Sequence, residues 1–162
     1  MQVGIISDTH GLMRPEALSA LAGSDYIVHA GDIGAPEILD ALREIAPVTA
    51  VRGNNDTAAW ARDIPDTNVL CAGGVSVYVL HDVKALAIDP AVEGHRVVVA
   101  GHSHRPLIVT RNNVLFVNPG SAGPRRFSLP IAVAHLHIEQ RRVHASIVSL
   151  QVAPRATAYS NM

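Results

Sequence analysis

The chain has 162 residues, 48% of them hydrophobic and 17% charged, which excludes disorder and fibrous repeats and fits one compact domain. Thirteen Lys plus Arg against fourteen Asp plus Glu leave a net charge of −1, so no general nucleic-acid surface is present and a nucleic-acid polymer is not an expected partner. Mean hydropathy is slightly positive at +0.21, yet no apolar run approaches the roughly 18–20 residues of a spanning helix, so no membrane is expected either.

Met1 to Gly11 carries no basic leader and reaches Asp8 early, so it reads as a buried strand rather than a signal peptide. Gln2 to Ser7, Asp25 to His29, Val48 to Val51 and Arg96 to Ala100 are short, β-branched and apolar enough to be buried on both faces, as parallel strands are. Between the first three lie Pro15 to Ala22 and Pro36 to Ile45, each with Pro at a first helical position and apolar residues at helical spacing. This is a βαβαβ start. From Thr67 the pattern turns to hairpins: Val69 to Ala72 with Val75 to Leu80 across Gly73-Gly74, and Leu107 to Arg111 with Val114 to Asn118 across Asn112-Asn113. A last hairpin joins Ile131 to Ile138 and Val143 to Leu150. The expectation is an α/β sandwich of two mixed sheets flanked by helices in four layers (αββα), over residues 1–150, with 151–162 a loose tail. A single cysteine, Cys71, excludes an internal disulfide and points to the cytoplasm; it reads as a small buried apolar residue.

Polar clusters follow the predicted strands at once. Asp8-Thr9-His10 follows the first, Gly31-Asp32 the second and Gly53-Asn54-Asn55-Asp56 the third. His81 follows the strand from Val75, and Gly101-His102-Ser103-His104 the strand from Arg96. Ligands of open α/β sheets bind outside the carboxyl ends of the strands, so these groups should converge. Gathered together, they form a nitrogen and oxygen site for divalent transition metals. Two four-coordinate ions sharing one carboxylate need seven side chains, and Asp8, His10, Asp32, Asn54, His81, His102 and His104 supply seven.

In this order, D-x-H, GD, GNxD, a lone His and GHxH resemble the calcineurin-like metallophosphoesterase family. The length and Asn118-Pro119-Gly120-Ser121 resemble its small bacterial and archaeal phosphodiesterase branch. The resemblance implies a first metal on Asp8, His10, Asp32 and His104, and a second on Asp32, Asn54, His81 and His102, with Asp32 the bridge. Manganese is the first choice of ion, with iron, zinc or nickel as alternatives. It also implies hydrolysis of a small phosphate ester by a hydroxide between the two ions. Two departures stand out: Asn55 where the larger relatives have a His able to protonate the leaving group, and Asp82 where Gly is common. Asn55 and Asp56 are nonetheless expected in the catalytic set with Asp32 and Asn54, Asp56 being close enough in sequence to orient an imidazole placed at position 55. Arg52, Asn55 and Arg125 are candidates for holding substrate. His29 reads equally as a group that orients the site or as a packed strand-end histidine. His95, His135, His137 and His144 lie outside the motifs and read as structural or surface residues. Arg125-Arg126 could instead form a subunit contact, leaving a homo-oligomer open. The alternative to a phosphodiesterase is a scaffold of the same fold that binds a protein.

Overall fold

The computed structural model describes residues 1–152, so most of the expected tail lies outside the described residues. The βαβαβ start is present as β1 (Gln2–Ile6), α1 (Pro15–Leu21), β2 (Tyr26–His29), α2 (Pro36–Arg43) and β3 (Val48–Ala50). Pro15 and Pro36 sit at the first helical positions, where a missing N–H costs nothing. The elements are one or two residues shorter than expected at several ends, where hydrogen bonding passes into the loops.

The remaining strands are β4 (Thr67–Ala72), β5 (Val75–Leu80), β6 (Val97–Val99), β7 (Leu107–Arg111), β8 (Val114–Asn118), β9 (Ala132–Glu139) and β10 (Arg142–Ser149). Two mixed five-stranded sheets result, ordered β10-β9-β1-β2-β3 and β4-β5-β6-β8-β7. β1, β2 and β3 run parallel in the first sheet, and β5, β6 and β8 in the second. Each hairpin turns on two residues of positive φ: Gly73-Gly74, Asn112-Asn113 and Gln140-Arg141. That is the geometry a right-twisted two-residue connection needs.

One apolar cluster fills the space between the sheets, including Val3, Ile5, Val28, Val77, Val79, Val97, Val99 and Leu136. A second lies between the first sheet and the helices, where α1 buries Ala17 and Leu21 and α2 buries Ile38, Leu39 and Leu42. The outer layer over the second sheet is thinner than expected. Among the described residues it holds only the 3-10 turn Val83–Ala85 and the loop after it, because Asp82 and Asp89 turn their side chains onto backbone N–H groups just ahead. Such local bonds compete with helix formation.

Cys71 corrects its expectation of burial. Alternation along β4 sends Leu70 and Ala72 inward and leaves Cys71 exposed. The outlying histidines bond locally where they bond at all: His95 Nδ1 lies 2.8 Å from Ser76 Oγ, and His135 Nε2 donates to the Ala20 carbonyl at 2.7 Å.

Candidate metal centre

The carboxyl ends of β1, β2 and β3 in one sheet and of β5 and β6 in the other meet at one edge of the sandwich. The seven expected ligands converge there in two groups. Ligand atoms of Asp8, His10 and His104 lie within 4.8 Å of one another, as do those of Asp32, His81 and His102. In the second group Asn54 Oδ1 stands 3.0 Å from His81 Nε2 and 3.2 Å from His102 Nδ1. Asp32 joins the groups: its Oδ2 is 3.7 Å from His10 Nε2 and 3.3 Å from His81 Nε2. One oxygen therefore faces both sides, because Oδ1 accepts the Asn55 backbone N–H at 2.9 Å.

The backbone at this edge is strained. Asp8, His10, Asp32, His102 and His104 have φ between +46° and +69°, a region that non-glycine residues seldom enter. Outside the hairpin turns, Phe127 is the sole other described non-glycine residue of positive φ. Such strain clusters at functional sites, at about 1–3 kcal/mol per residue. Two glycines permit the close approach. A Cβ at Gly53 would overlap Asp32 Oδ1, and one at Gly101 would overlap Ser7 Oγ and stand 2.6 Å from Asp8 Oδ2.

Partners hold the ligand atoms in place. Asp8 Oδ2 accepts Ser7 Oγ–H at 2.6 Å and the His102 backbone N–H at 3.1 Å, leaving Oδ1 to point inward. His81 Nδ1 donates to the Ala30 carbonyl at 2.7 Å, which aims Nε2 at Asp32 and Asn54. Asn55 Nδ2 donates to Asp32 Oδ2 at 2.9 Å. Asn118 donates to the Gly101 carbonyl and to Ser103 Oγ, and Ser121 Oγ donates to the Asp8 carbonyl, so the Asn118 to Ser121 stretch braces two ligand loops.

Charge follows from this packing. Burial alone would raise the Asp32 carboxyl, but hydrogen bonds from His81 and Asn55 outweigh it and hold the group well below the ordinary range. Burial opposes charge on His81, yet Asp32 and the Ala30 carbonyl prevail and raise it. His104 is lowered by burial, helped by the nearby charges of Arg126 and His10 against the attraction of Asp8.

Among the described residues, three buried side-chain atoms have no hydrogen-bond partner: Asp8 Oδ1, His10 Nε2 and His104 Nδ1. Buried polar atoms are almost always bonded, so unpaired ones require an explanation. Two of them face each other across 3.9 Å, and His104 Nε2 stands 3.2 Å from Asp8 Oδ1. A carboxylate oxygen and imidazole nitrogens aimed at one point suit a divalent cation, and the donor set fits the transition metals.

Several expected residues are placed otherwise. Asp56 bonds backbone rather than a donor side chain. It is buried, and its two oxygens accept the backbone N–H groups of Ile33, Gly34 and Gly53, so it ties the loop after β2 to that after β3. Arg52 is paired with Asp66 Oδ1, through Nε at 3.1 Å and an Nη at 2.9 Å. Arg125 is exposed, and of the pair it is Arg126 whose charge reaches His104. His29 resolves to a packed strand-end histidine that supports both loops. Thr9 Oγ1 donates to the Ile33 carbonyl and so accepts from His29 Nε2, while His29 Nδ1 accepts the Gly31 N–H. Burial, with the charge of His81 next, lowers it to about 3 and keeps it neutral. Asp82 Oδ2 lies 3.8 Å from His102 Nε2 at the outer side of the second group.

Comparison with known proteins shows the family. Residues 1–141 match the model of the calcineurin-like phosphoesterase superfamily domain, and the chain belongs to that family. It is 32% identical over 160 residues to a probable metallophosphoesterase of Methanocaldococcus jannaschii, covering 93% of this chain and 82% of that protein. A probable metallophosphoesterase of Methanothermobacter thermautotrophicus is also 32% identical over 160 residues, covering 91% and 92%. Among solved structures, Vps29 from Entamoeba histolytica superposes with a TM-score of 0.72 at 23% identity, covering 93% of this chain and 100% of that one. An archaeal phosphodiesterase superposes at 0.70 and 21% identity, covering 91% and 100%. These two likenesses are of fold. The family is metal-dependent, and among the described residues no helix is long and apolar enough to cross a membrane.

Proposed function

We propose that this chain is a metal-dependent phosphodiesterase that hydrolyses a small phosphate ester. The observation that carries the reading is the convergence of Asp8 Oδ1, His10 Nε2 and His104 Nε2, the first two buried without a hydrogen-bond partner, beside a second donor group through Asp32. Asp8, His10, Asp32 and His104 would hold one divalent ion, and Asp32, Asn54, His81 and His102 the other, with manganese preferred. When bound, such ions polarise a phosphoryl oxygen and lower the pKa of water towards 7.

The chain's own groups prepare that chemistry. Ser7 and the His102 N–H fix Asp8, and Asn55 holds Asp32 through backbone and side chain, so both carboxylates that would hold the ions are oriented by the chain itself. Asn55 is thus a positioning residue, and its neutral amide supplies no proton to a leaving group. The leaving oxygen therefore departs as an anion, which favours esters of acidic alcohols and phenols. Arg126 gives positive charge near His104 for a phosphate to approach.

The second reading, a protein-binding scaffold, is favoured by the Vps29 likeness. Metal content does not separate the two, since a Vps29 of this fold is described in complex with zinc; turnover does. The test is hydrolysis of bis(p-nitrophenyl) phosphate by chelated protein reloaded with Mn²⁺, Fe²⁺, Zn²⁺ or Ni²⁺, beside Asp32→Ala. Metal-dependent turnover is expected, and Asp32→Ala should lose more than the roughly 10–100-fold typical of removing a group that merely orients a ligand. Undiminished turnover after complete chelation, or in Asp32→Ala, would remove the reading.

A further inference from the structure

A cavity of about 320 Å³ opens beside the metal centre on the outer face of the second sheet. Its floor is apolar: Val98 and Ala100 at β6, Phe116 on β8, and Leu107 and Val109 on β7. These residues share one face by register, since Leu107 pairs with Asn118 and Val109 with Phe116. The 3-10 turn Val83–Ala85 forms one wall, and with no helix among the described residues lying over this sheet the groove stays open.

Its position relative to the site is fixed by shared residues. His102, a member of the second donor group, lines the cavity, and Asp82 lies beside it. Asn118 at the near end bonds the Gly101 carbonyl, so the Leu107 end of the groove adjoins the ligand loop. The far end lies about 14 Å away along β7, at about 3.4 Å per residue. There Arg111 stands over the Phe116 ring, 5.6 Å from its centre. A volume near the lower limit of small-molecule sites, roughly 300–1,000 Å³, suits one organic group rather than a polymer. An apolar floor with an aromatic ring and a stacked guanidinium suits a flat ring above all.

We propose that this groove is the subsite for the organic group of the phosphate ester, and that it selects an aromatic ring over a small alkyl group. The inference rests on the phosphodiesterase reading for what lies at its mouth, while the groove itself is testable by binding alone. A phosphoryl group held beside His102 has two directions for its substituent, solvent or this apolar channel, and burial of apolar surface favours the channel.

The experiment is calorimetric titration of Mn²⁺-loaded protein with phenylphosphonate and with methylphosphonate, in the wild type and in Val109→Asp and Leu107→Glu. Both positions lie on the edge strand β7 and are half-buried or exposed, so folding should survive; circular dichroism checks this. The wild type should bind phenylphosphonate about tenfold more tightly, less than full burial of a ring would give because the groove is open. In both variants that ratio should fall towards one. Equal binding of the two phosphonates, no binding of either, or a preference that survives both substitutions would overturn the proposal. Diester turnover measured alongside separates the two readings. Turnover with equal phosphonate binding removes the groove and keeps the phosphodiesterase, and a Val109-dependent preference without turnover does the reverse.

Discussion

The two halves of the donor cluster differ in how they are satisfied. Around Asp8, the buried Asp8 Oδ1 and His10 Nε2 face each other unbonded and His104 keeps a buried Nδ1 without a partner, whereas His81, His102, Asn54, Asn55 and Asp32 form a bonded set. The second half keeps its shape by its own contacts. The first half is shaped by its surroundings, Ser7, Ser121 and the strained backbone, against the cost of unpaired buried groups. The same edge therefore contains one group that demands a cation and another that would exchange its internal bonds for one.

The sharpest way to break this comparison is to remove the support behind the bonded half. Asp56→Ala leaves three backbone N–H groups of the loops after β2 and β3 without their acceptor. A loss of about 3–5 kcal/mol is expected from urea unfolding in chelator. A loss below about 1 kcal/mol would show that these loops stand without it.

A direct contrast between the halves comes next, again in chelator. His81→Leu strips the Ala30 carbonyl and Asp32 of a partner and should cost about 1–3 kcal/mol. His104→Leu removes a buried nitrogen that has no partner, and should change stability by less than about 1 kcal/mol. The same unfolding experiment checks both. Equal losses would mean that the halves are satisfied alike.

A further effect concerns acid. His29 stays neutral in the folded chain down to about pH 3, while in the unfolded chain it takes a proton near pH 6.5. Between those values the unfolded state binds more protons, so stability rises with pH and is lost as pH falls. By pH 5 this one group should cost about 2 kcal/mol. His81, raised in the folded state, works in the opposite sense, so the slope is read as the difference between wild type and His29→Asn. A variant whose unfolding midpoint keeps the full acid slope would assign that slope elsewhere.

The convergence of the donor set was legible because each member follows a strand within a few residues, and strand direction alone then says at which edge it lies. Asp8, Asp32, Asn54, His81 and His102 needed no knowledge of how distant segments cross. Their supports did. Ser121 meets Asp8 and Asn118 meets Gly101 only once β8 lies beside β6 and the loop beyond β8 reaches the end of β1. The bonding of Asp56 was hidden for the same reason: its neighbours in sequence belong to the donor cluster, but its oxygens are taken by three N–H groups. Neighbouring arginines gave no sign that Arg126 rather than Arg125 would be the one near His104. Alternation along β4 could have exposed Cys71, had Leu70 and Ala72 been read as its inward neighbours. The thin layer outside the second sheet was hidden because Asp82 and Asp89 act through local turns rather than through hydrophobic period.

Each half of the cluster draws donors from both sheets. Asp8 and His10 follow β1, and Asp32 follows β2, in the first sheet; His81 follows β5, and His102 and His104 follow β6, in the second. A cation seated on Asp8 and His104 closes a covalent-like loop of roughly a hundred residues, the kind of long-range tie that a disulfide makes elsewhere. This chain has a single cysteine and makes no such bond within itself. A cation coordinated at that edge would add a tie between the layers to the apolar core already there, and prying the sheets apart would release it.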